Sequence, residues 1–152
     1  MSTPTIFVFG ATGTFGKPLI DELLPDHKAG RIKLIASARK AENVAALENL
    51  GVVAKQLDLD NAEMDGLEPL IEALRGVDRV FLLTGYEYKM LAQSKAAIDA
   101  AKAAGVTHLV HLGSNVRQDT TSVYSSWHRL IEAYVETSGL GFTHLRPCQT
   151  FQ

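Results

Sequence analysis

"FGATGTFGK", residues 9–17, follows the apolar run Ile6-Phe7-Val8 and sets Gly10, Gly13 and Gly16 at an even three-residue spacing. A β-branched and aromatic run that ends in glycine reads as a strand entering a turn. Pro18 then fits the first turn of a helix, where a missing N–H costs little. Each glycine has its own task in such a unit: Gly10 makes the tight turn, Gly13 lets a pyrophosphate reach bare backbone, and Gly16 lets the helix pack against the strand. The helix N-terminus, with its unpaired N–H groups and positive dipole end, faces that anion. Gly10, Thr12, Gly13, Thr14, Phe15 and Gly16 are therefore read as a loop around a dinucleotide. The spacing is one residue wider at its start than G-x-G-x-x-G, and a glycine trio alone also fits a flexible loop. Its position between a first strand and a first helix favours the nucleotide.

The pattern repeats along the chain. Strands are expected at 5–10, 32–37, 52–57, 78–84, 107–112 and 141–146, and helices at 15–27, 41–50, 64–75, 88–104 and 122–138, where apolar residues recur three and four apart. Val80-Phe81-Leu82-Leu83 is apolar on both faces, as a parallel strand covered by helices on both sides must be. Gly51, Gly76, Gly105 and Gly139 fall between a helical segment and the next strand, where helix C-termini favour glycine. The expected fold is an α/β doubly wound parallel sheet, a Rossmann fold, in one dinucleotide-binding domain over residues 1–152.

Composition narrows the partners. A formal net charge of -2 gives no general attraction to nucleic acid or anionic membrane, so a small molecule is the expected partner. Cys148 is the only cysteine, which excludes an intrachain disulfide, and no apolar run approaches membrane-spanning length. The start Met1-Ser2-Thr3-Pro4 lacks the basic and long apolar regions of a signal peptide, so the expected location is cytoplasmic. His108 and His111 are three apart on a strand and so face opposite sides; no metal site is expected, and Cys148 reads as a small packed residue rather than a reactive thiol.

The second strand runs out into Ser37-Ala38-Arg39-Lys40. An NAD site usually places a carboxylate at that strand end for the ribose 2′-hydroxyl, whereas a 2′-phosphate is met by arginine. Ser37 and Arg39 favour NADP(H), the alternative being cations that simply face water before a helix.

Together these segments resemble the NmrA-like group of atypical short-chain dehydrogenase/reductases, which includes quinone oxidoreductase-like and triphenylmethane reductase-like enzymes as well as nonenzymatic NADP-sensing regulators. The resemblance rests on the glycine loop, Ser37-Ala38-Arg39, Leu57-Asp58-Leu59-Asp60, Leu82-Leu83-Thr84-Gly85, and the stretch from Trp127-His128 to Leu145-Arg146-Pro147. It implies that Asp58 and Leu59 border the adenine, that Thr84 and Gly85 run beside the pyrophosphate and nicotinamide ribose, and that Pro147 approaches the nicotinamide. For Asp58, an ordinary helix-entry turn stands as the other reading.

Short-chain reductases commonly use a serine after the fifth strand and Tyr-x-x-x-Lys on the next helix. Here Ser114 and Tyr124 match, but the lysine position holds His128. Histidine does not supply lysine's constant charge, so the resemblance implies catalysis mainly by positioning hydride donor and acceptor, with Tyr124, His128 and Ser114 as candidate catalytic residues. Packing or rim roles for Tyr124 and His128 remain open beside this. In the family a smaller substrate lobe follows; this chain ends at Gln152, so most of that lobe is expected to be absent, leaving apolar surface that could support a homodimer. The function implied is NADPH-dependent hydride transfer to a small quinone-like or other conjugated organic acceptor. A noncatalytic NADP redox sensor acting through a protein partner is the alternative.

Overall fold

Phe7 and Phe9 leave the first strand on one side and Val8 on the other, and none of the three is more than 2% exposed. That strand must therefore lie inside a sheet covered on both faces. The computed structural model, which describes residues 2–115, 117 and 119–148, places it there. Six parallel strands, β1 (Thr5–Val8), β2 (Lys33–Ala38), β3 (Val53–Gln56), β4 (Arg79–Leu82), β5 (His108–Leu112) and β6 (Gly141–Leu145), run in the order β3-β2-β1-β4-β5-β6. This is the doubly wound Rossmann arrangement. The strand order reverses at β1, between β2 and β4, which is where such sheets open a ligand crevice at their carboxyl ends.

The helices α1 (Gly16–Lys28) and α2 (Ala41–Asn49) cover one face, where Ile20 and Leu47 pack on Val8, Leu34 and Ala36. On the other face lie α4 (Glu68–Leu74), α5 (Met90–Ala104) and α6 (Val123–Thr137), whose Leu74, Ile98 and Val135 join Phe7, Val80 and Leu109. Burying each such side chain contributes roughly 1.5–3 kcal/mol. Ala96, Ala97, Ala100 and Ala101 form the buried side of α5, so this helix lies close on the sheet. It stops at Gly105, whose left-handed backbone (φ 81°) turns its N–H back onto the carbonyl of Ala101. The glycines at 51, 76 and 139 have the same positive φ, as their positions after helices predicted.

One expected element differs. The helix predicted over 64–75 is divided at Gly66, where φ is 73°, between the end of a short α3 (Ala62–Asp65), itself preceded by a 3-10 turn (Leu59–Asn61), and α4. The apolar spacing of Leu67, Leu70, Ile71 and Leu74 belongs to α4 alone. Among the described residues no helix is long and apolar enough to cross a membrane.

Candidate functional site

The glycine loop leaves β1 at the carboxyl edge of the sheet. The Phe9 N–H still donates to the Phe81 carbonyl at 3.0 Å, after which the chain turns at Gly10 with φ +68°. The Gly13 N–H closes the turn on the Gly10 carbonyl at 3.1 Å. A Cβ on Gly16 would stand 1.9 Å from the Gly10 oxygen, so the first turn of α1 lies directly on the loop. The protein's own packing thus explains Gly10 and Gly16. Gly13 is different: a Cβ there would meet only the Gly10 oxygen, at 3.4 Å, and the space above is open. Thr12, Gly13, Thr14 and Phe15 are all exposed, and α1 begins without a side-chain cap. At the start of α1 the Lys17 N–H donates to the Gly13 carbonyl at 3.0 Å, Leu19 donates to Phe15 at 3.2 Å and Pro18 has no N–H, so it is the Gly16 N–H, with the exposed loop backbone around Gly13, that forms a cradle for a phosphate group.

At the end of β2, Ser37 is buried while Arg39 is exposed at the crevice edge. Gln56 Nε2 donates to the Arg39 carbonyl at 3.1 Å, and an Arg39 guanidinium nitrogen stands 3.9 Å from Glu87 Oε1. Lys40 pairs instead with Glu42 at 3.8 Å, away from the crevice. Asp58 accepts the Asp60 N–H at 3.0 Å and caps the 3-10 turn, so its carboxylate has the turn role that the sequence left open. Leu59 packs against the larger core and also lines a cavity of about 410 Å³ with Asp60, Lys89 and Gln93. Thr84 Oγ1 lies 3.2 Å from Ser94 Oγ, and Gly85 is exposed beside it.

Beyond β5 the chain stays paired with the segment after β6. The Gly113 N–H donates to Leu145 and the Asn115 N–H to Pro147, which places partly exposed Ser114 and Pro147 on one edge. His128 is 3% exposed, and its Nε2 lies 3.1 Å from the hydroxyl of Tyr86, a residue not predicted from the sequence. Tyr124 stands edge-on to Tyr86, with ring centres 5.2 Å apart, so the structure gathers Tyr86, Tyr124 and His128 at one end of the crevice. Trp127 packs against both Tyr124 and the core.

Beneath this group lies a buried polar cluster that sequence reasoning missed. His111 and His144 are register partners on β5 and β6, with ring centres 5.5 Å apart, and His111 also faces His128. Glu132, 1% exposed, accepts from Arg146 Nε at 2.8 Å and from a second Arg146 nitrogen at 3.0 Å, and pairs with Arg129. His108 lies on the opposite side of the sheet, against Thr143, as the strand alternation predicted. Donor atoms of His111, Glu132 and His144 come within 4.8 Å of one another. Two guanidinium groups already neutralise Glu132, however, and their charge opposes a cation there.

Burial holds His111 down to about 4, with His128 and His144 adding to the shift, and burial lowers His128 in the same direction. A histidine depressed in the fold takes up protons more readily when unfolded, so its contribution is intact above the unfolded value and is lost as pH falls toward 4. Between pH 7 and 5 this costs about 2 kcal/mol through His111 alone. Urea unfolding at the two pH values should show that loss, and His111→Gln should flatten it. An equal slope in the variant would assign the acid sensitivity elsewhere.

Residues 2–150 match the profile of the NmrA-like family. An NAD(P)H azoreductase from Xenophilus azovorans is 32% identical over 143 residues, which cover 93% of this chain and 47% of that protein. The triphenylmethane reductase of Citrobacter sp., solved with NADP(H), aligns at a TM-score of 0.81 and 27% identity over 93% of this chain and 48% of its own. The NADPH-dependent quinone oxidoreductase of Escherichia coli, solved with NADPH, gives the same TM-score, identity and coverage. The chain spans about half the length of these relatives.

Proposed function

The chain belongs to the NmrA-like family, and from that premise we propose that it binds NADP(H) in the glycine-loop crevice and serves hydride transfer from NADPH to a quinone-like or other conjugated organic acceptor. The observation that carries the reading is the loop itself: Gly10 and Gly16 are fixed by packing, while Gly13 leaves bare backbone open at the mouth of α1. The likeness to an azoreductase, a triphenylmethane reductase and a quinone oxidoreductase supports the reaction class.

In this reading the Gly16 N–H and the exposed loop backbone before it hold the pyrophosphate at the positive end of α1, and Arg39 meets the 2′-phosphate with Ser37 beside it. Thr84 and Gly85 line the path toward the nicotinamide ribose, Leu59 borders the adenine, and Pro147 approaches the nicotinamide. NADPH supplies the hydride when bound. At the far end the Tyr86 hydroxyl and His128 Nε2 share a hydrogen bond, and Tyr86 is 62% exposed, so in this reading the pair is the proton source beside a bound acceptor. Tyr124 flanks Tyr86, and Ser114 lies just past β5 on the edge that carries Pro147. No lysine stands at position 128 to lower a tyrosine pKa, so rate enhancement comes mainly from holding donor and acceptor together.

Parallel fluorescence titrations with NADPH and NADH test the cofactor assignment. NADPH should bind more tightly, and Arg39→Ala should weaken it by roughly 10- to 100-fold, the worth of one charged hydrogen-bonded contact, while NADH changes little. Equal affinity for the two nucleotides would overturn the NADP assignment. Consumption of NADPH on adding a quinone or azo dye tests turnover. Binding of both oxidation states with no consumption would favour the redox-sensing alternative.

A further inference from the structure

Arg39 already has an anionic partner, and that partner is held in place. Glu87 lies in the connection between β4 and α5, across the crevice from the end of β2. Its Oε1 stands 3.9 Å from the Arg39 guanidinium and accepts from Gln93 Nε2 at 2.9 Å. Gln93 is 5% exposed, and the same nitrogen donates to Asp60 Oδ1 at 2.8 Å. The Glu87 backbone is tied as well: its N–H donates to the Gly85 carbonyl, and its own carbonyl accepts the Met90 N–H, each at 3.0 Å. A buried amide and two turn hydrogen bonds thus aim this carboxylate at Arg39.

The Arg39–Glu87 pair is long and open to water, with the two side chains 65% and 37% exposed. Such pairs add little to stability, so the arginine's anion is exchangeable. A phosphate carries more charge than a carboxylate and engages guanidinium through paired hydrogen bonds, so it displaces Glu87 from Arg39. Because Gln93 keeps hold of Glu87, the displaced carboxylate stays nearby as a like charge.

We propose that Glu87 is a built-in competitor of the nucleotide 2′-phosphate: it occupies Arg39 in the free protein and limits how strongly the crevice prefers a 2′-phosphorylated nucleotide. This rests on the reading of Arg39 as the 2′-phosphate ligand. Nucleotides with a free 2′-hydroxyl do not meet Glu87 as a charge and are indifferent to it. Repulsion of this kind at a water-exposed site corresponds to about a fivefold change in affinity, larger at low salt.

Calorimetric titration of wild type, Glu87→Gln, Arg39→Ala and the double variant with 2′,5′-ADP, 5′-ADP, NADPH and NADH is the test, run at low and physiological salt with melting curves as the check on folding. The neutral amide at 87 should tighten 2′,5′-ADP and NADPH about fivefold, more at low salt, and leave 5′-ADP and NADH unchanged. On the Arg39→Ala background the gain should vanish. If Arg39→Ala weakens NADPH but Glu87→Gln changes nothing, the competitor role is overturned and the Arg39 assignment stands. If Glu87→Gln weakens NADH or 5′-ADP, Glu87 is itself a nucleotide ligand and the proposal fails. If wild type does not distinguish 2′-phosphorylated from unphosphorylated nucleotides and Arg39→Ala has no effect, both assignments fall together.

Discussion

Alanine at position 16 should cost the protein most or all of its fold, while alanine at position 13 should cost it only its nucleotide. The new methyl group at Gly16 would stand 1.9 Å from the Gly10 carbonyl oxygen, 2.6 Å from its carbon and 2.8 Å from the Ala11 Cα, all backbone atoms that cannot rotate away. Relief requires α1 to lift off β1, opening the side of the core that Ile20 and Leu34 close. Inserted methyl groups in packed sites cost roughly 1–3 kcal/mol, and a clash confined to backbone belongs at or above the top of that range. At Gly13 the methyl meets a single atom at 3.4 Å and otherwise projects into the space assigned to the phosphate. Gly13→Ala should therefore melt within a few degrees of wild type yet lose at least about tenfold in NADPH affinity, the loss of one good phosphate contact. Melting curves and NADPH titration of the two variants separate the effects. Unimpaired binding by Gly13→Ala would remove the loop from the nucleotide site.

That contrast between glycines was anticipated in the sequence, where the strand-turn-helix context gave Gly10 to the turn, Gly16 to helix packing and Gly13 to an approaching ligand. The distances that make Gly16 the intolerant position, 1.9 Å to a backbone oxygen against 3.4 Å at Gly13, were not readable from the spacing. Strands and helices were legible because a parallel sheet covered on both faces writes its strands as short apolar runs, and because glycines after helices mark their ends. The exception, 64–75, fails for a local reason: Gly66 adopts a backbone that ends a helix, and Asp58 begins the turn before it, while the apolar spacing of Leu67, Leu70, Ile71 and Leu74 lies wholly beyond the break.

The polar end of the crevice was less legible. His128 was singled out by the family resemblance, at the lysine position of Tyr-x-x-x-Lys, but its hydrogen-bond partner is Tyr86, brought from the connection after β4. His111 and His144 meet through the register of β5 on β6, which no spacing along the chain reveals. Glu132 did leave a signal: it occupies the same helical stripe as His128, Ile131 and Val135, and a carboxylate in a stripe otherwise packed inward needs a cation. Arg146, in the stretch read as a family motif, is that cation.

The Glu132 cluster leads to a second large effect, whose direction depends on which partner is removed. Glu132 is the buried charge, 1% exposed, whereas Arg146 and Arg129 retain 44% and 29% of their side-chain surface. Deleting Glu132 leaves two arginines that can turn toward water. Deleting Arg146 leaves a buried carboxylate stripped of its bidentate partner, with Arg129 alone beside it. Arg146→Ala should therefore destabilise by about 3–5 kcal/mol, and Glu132→Leu by distinctly less. The pH response separates them further. Burial acts to raise the Glu132 pKa, but the hydrogen bonds and charge of Arg146, together with the charges of His144 and Arg129, outweigh it and hold the carboxyl below its ordinary value. In wild type this contribution is intact above the unfolded carboxylate value and lost as pH falls through the folded one. Without Arg146 the two strongest effects opposing burial are gone and the Glu132 pKa rises: protonation then relieves the buried charge sooner than in wild type, so the deficit of Arg146→Ala relative to wild type should shrink on mild acidification. Urea unfolding of wild type and both variants at neutral and mildly acidic pH measures the two deficits directly. If Glu132→Leu costs as much as Arg146→Ala, or if the Arg146→Ala deficit does not narrow in acid, the arginine does not act by compensating a buried carboxylate, and the cluster owes its stability to packing.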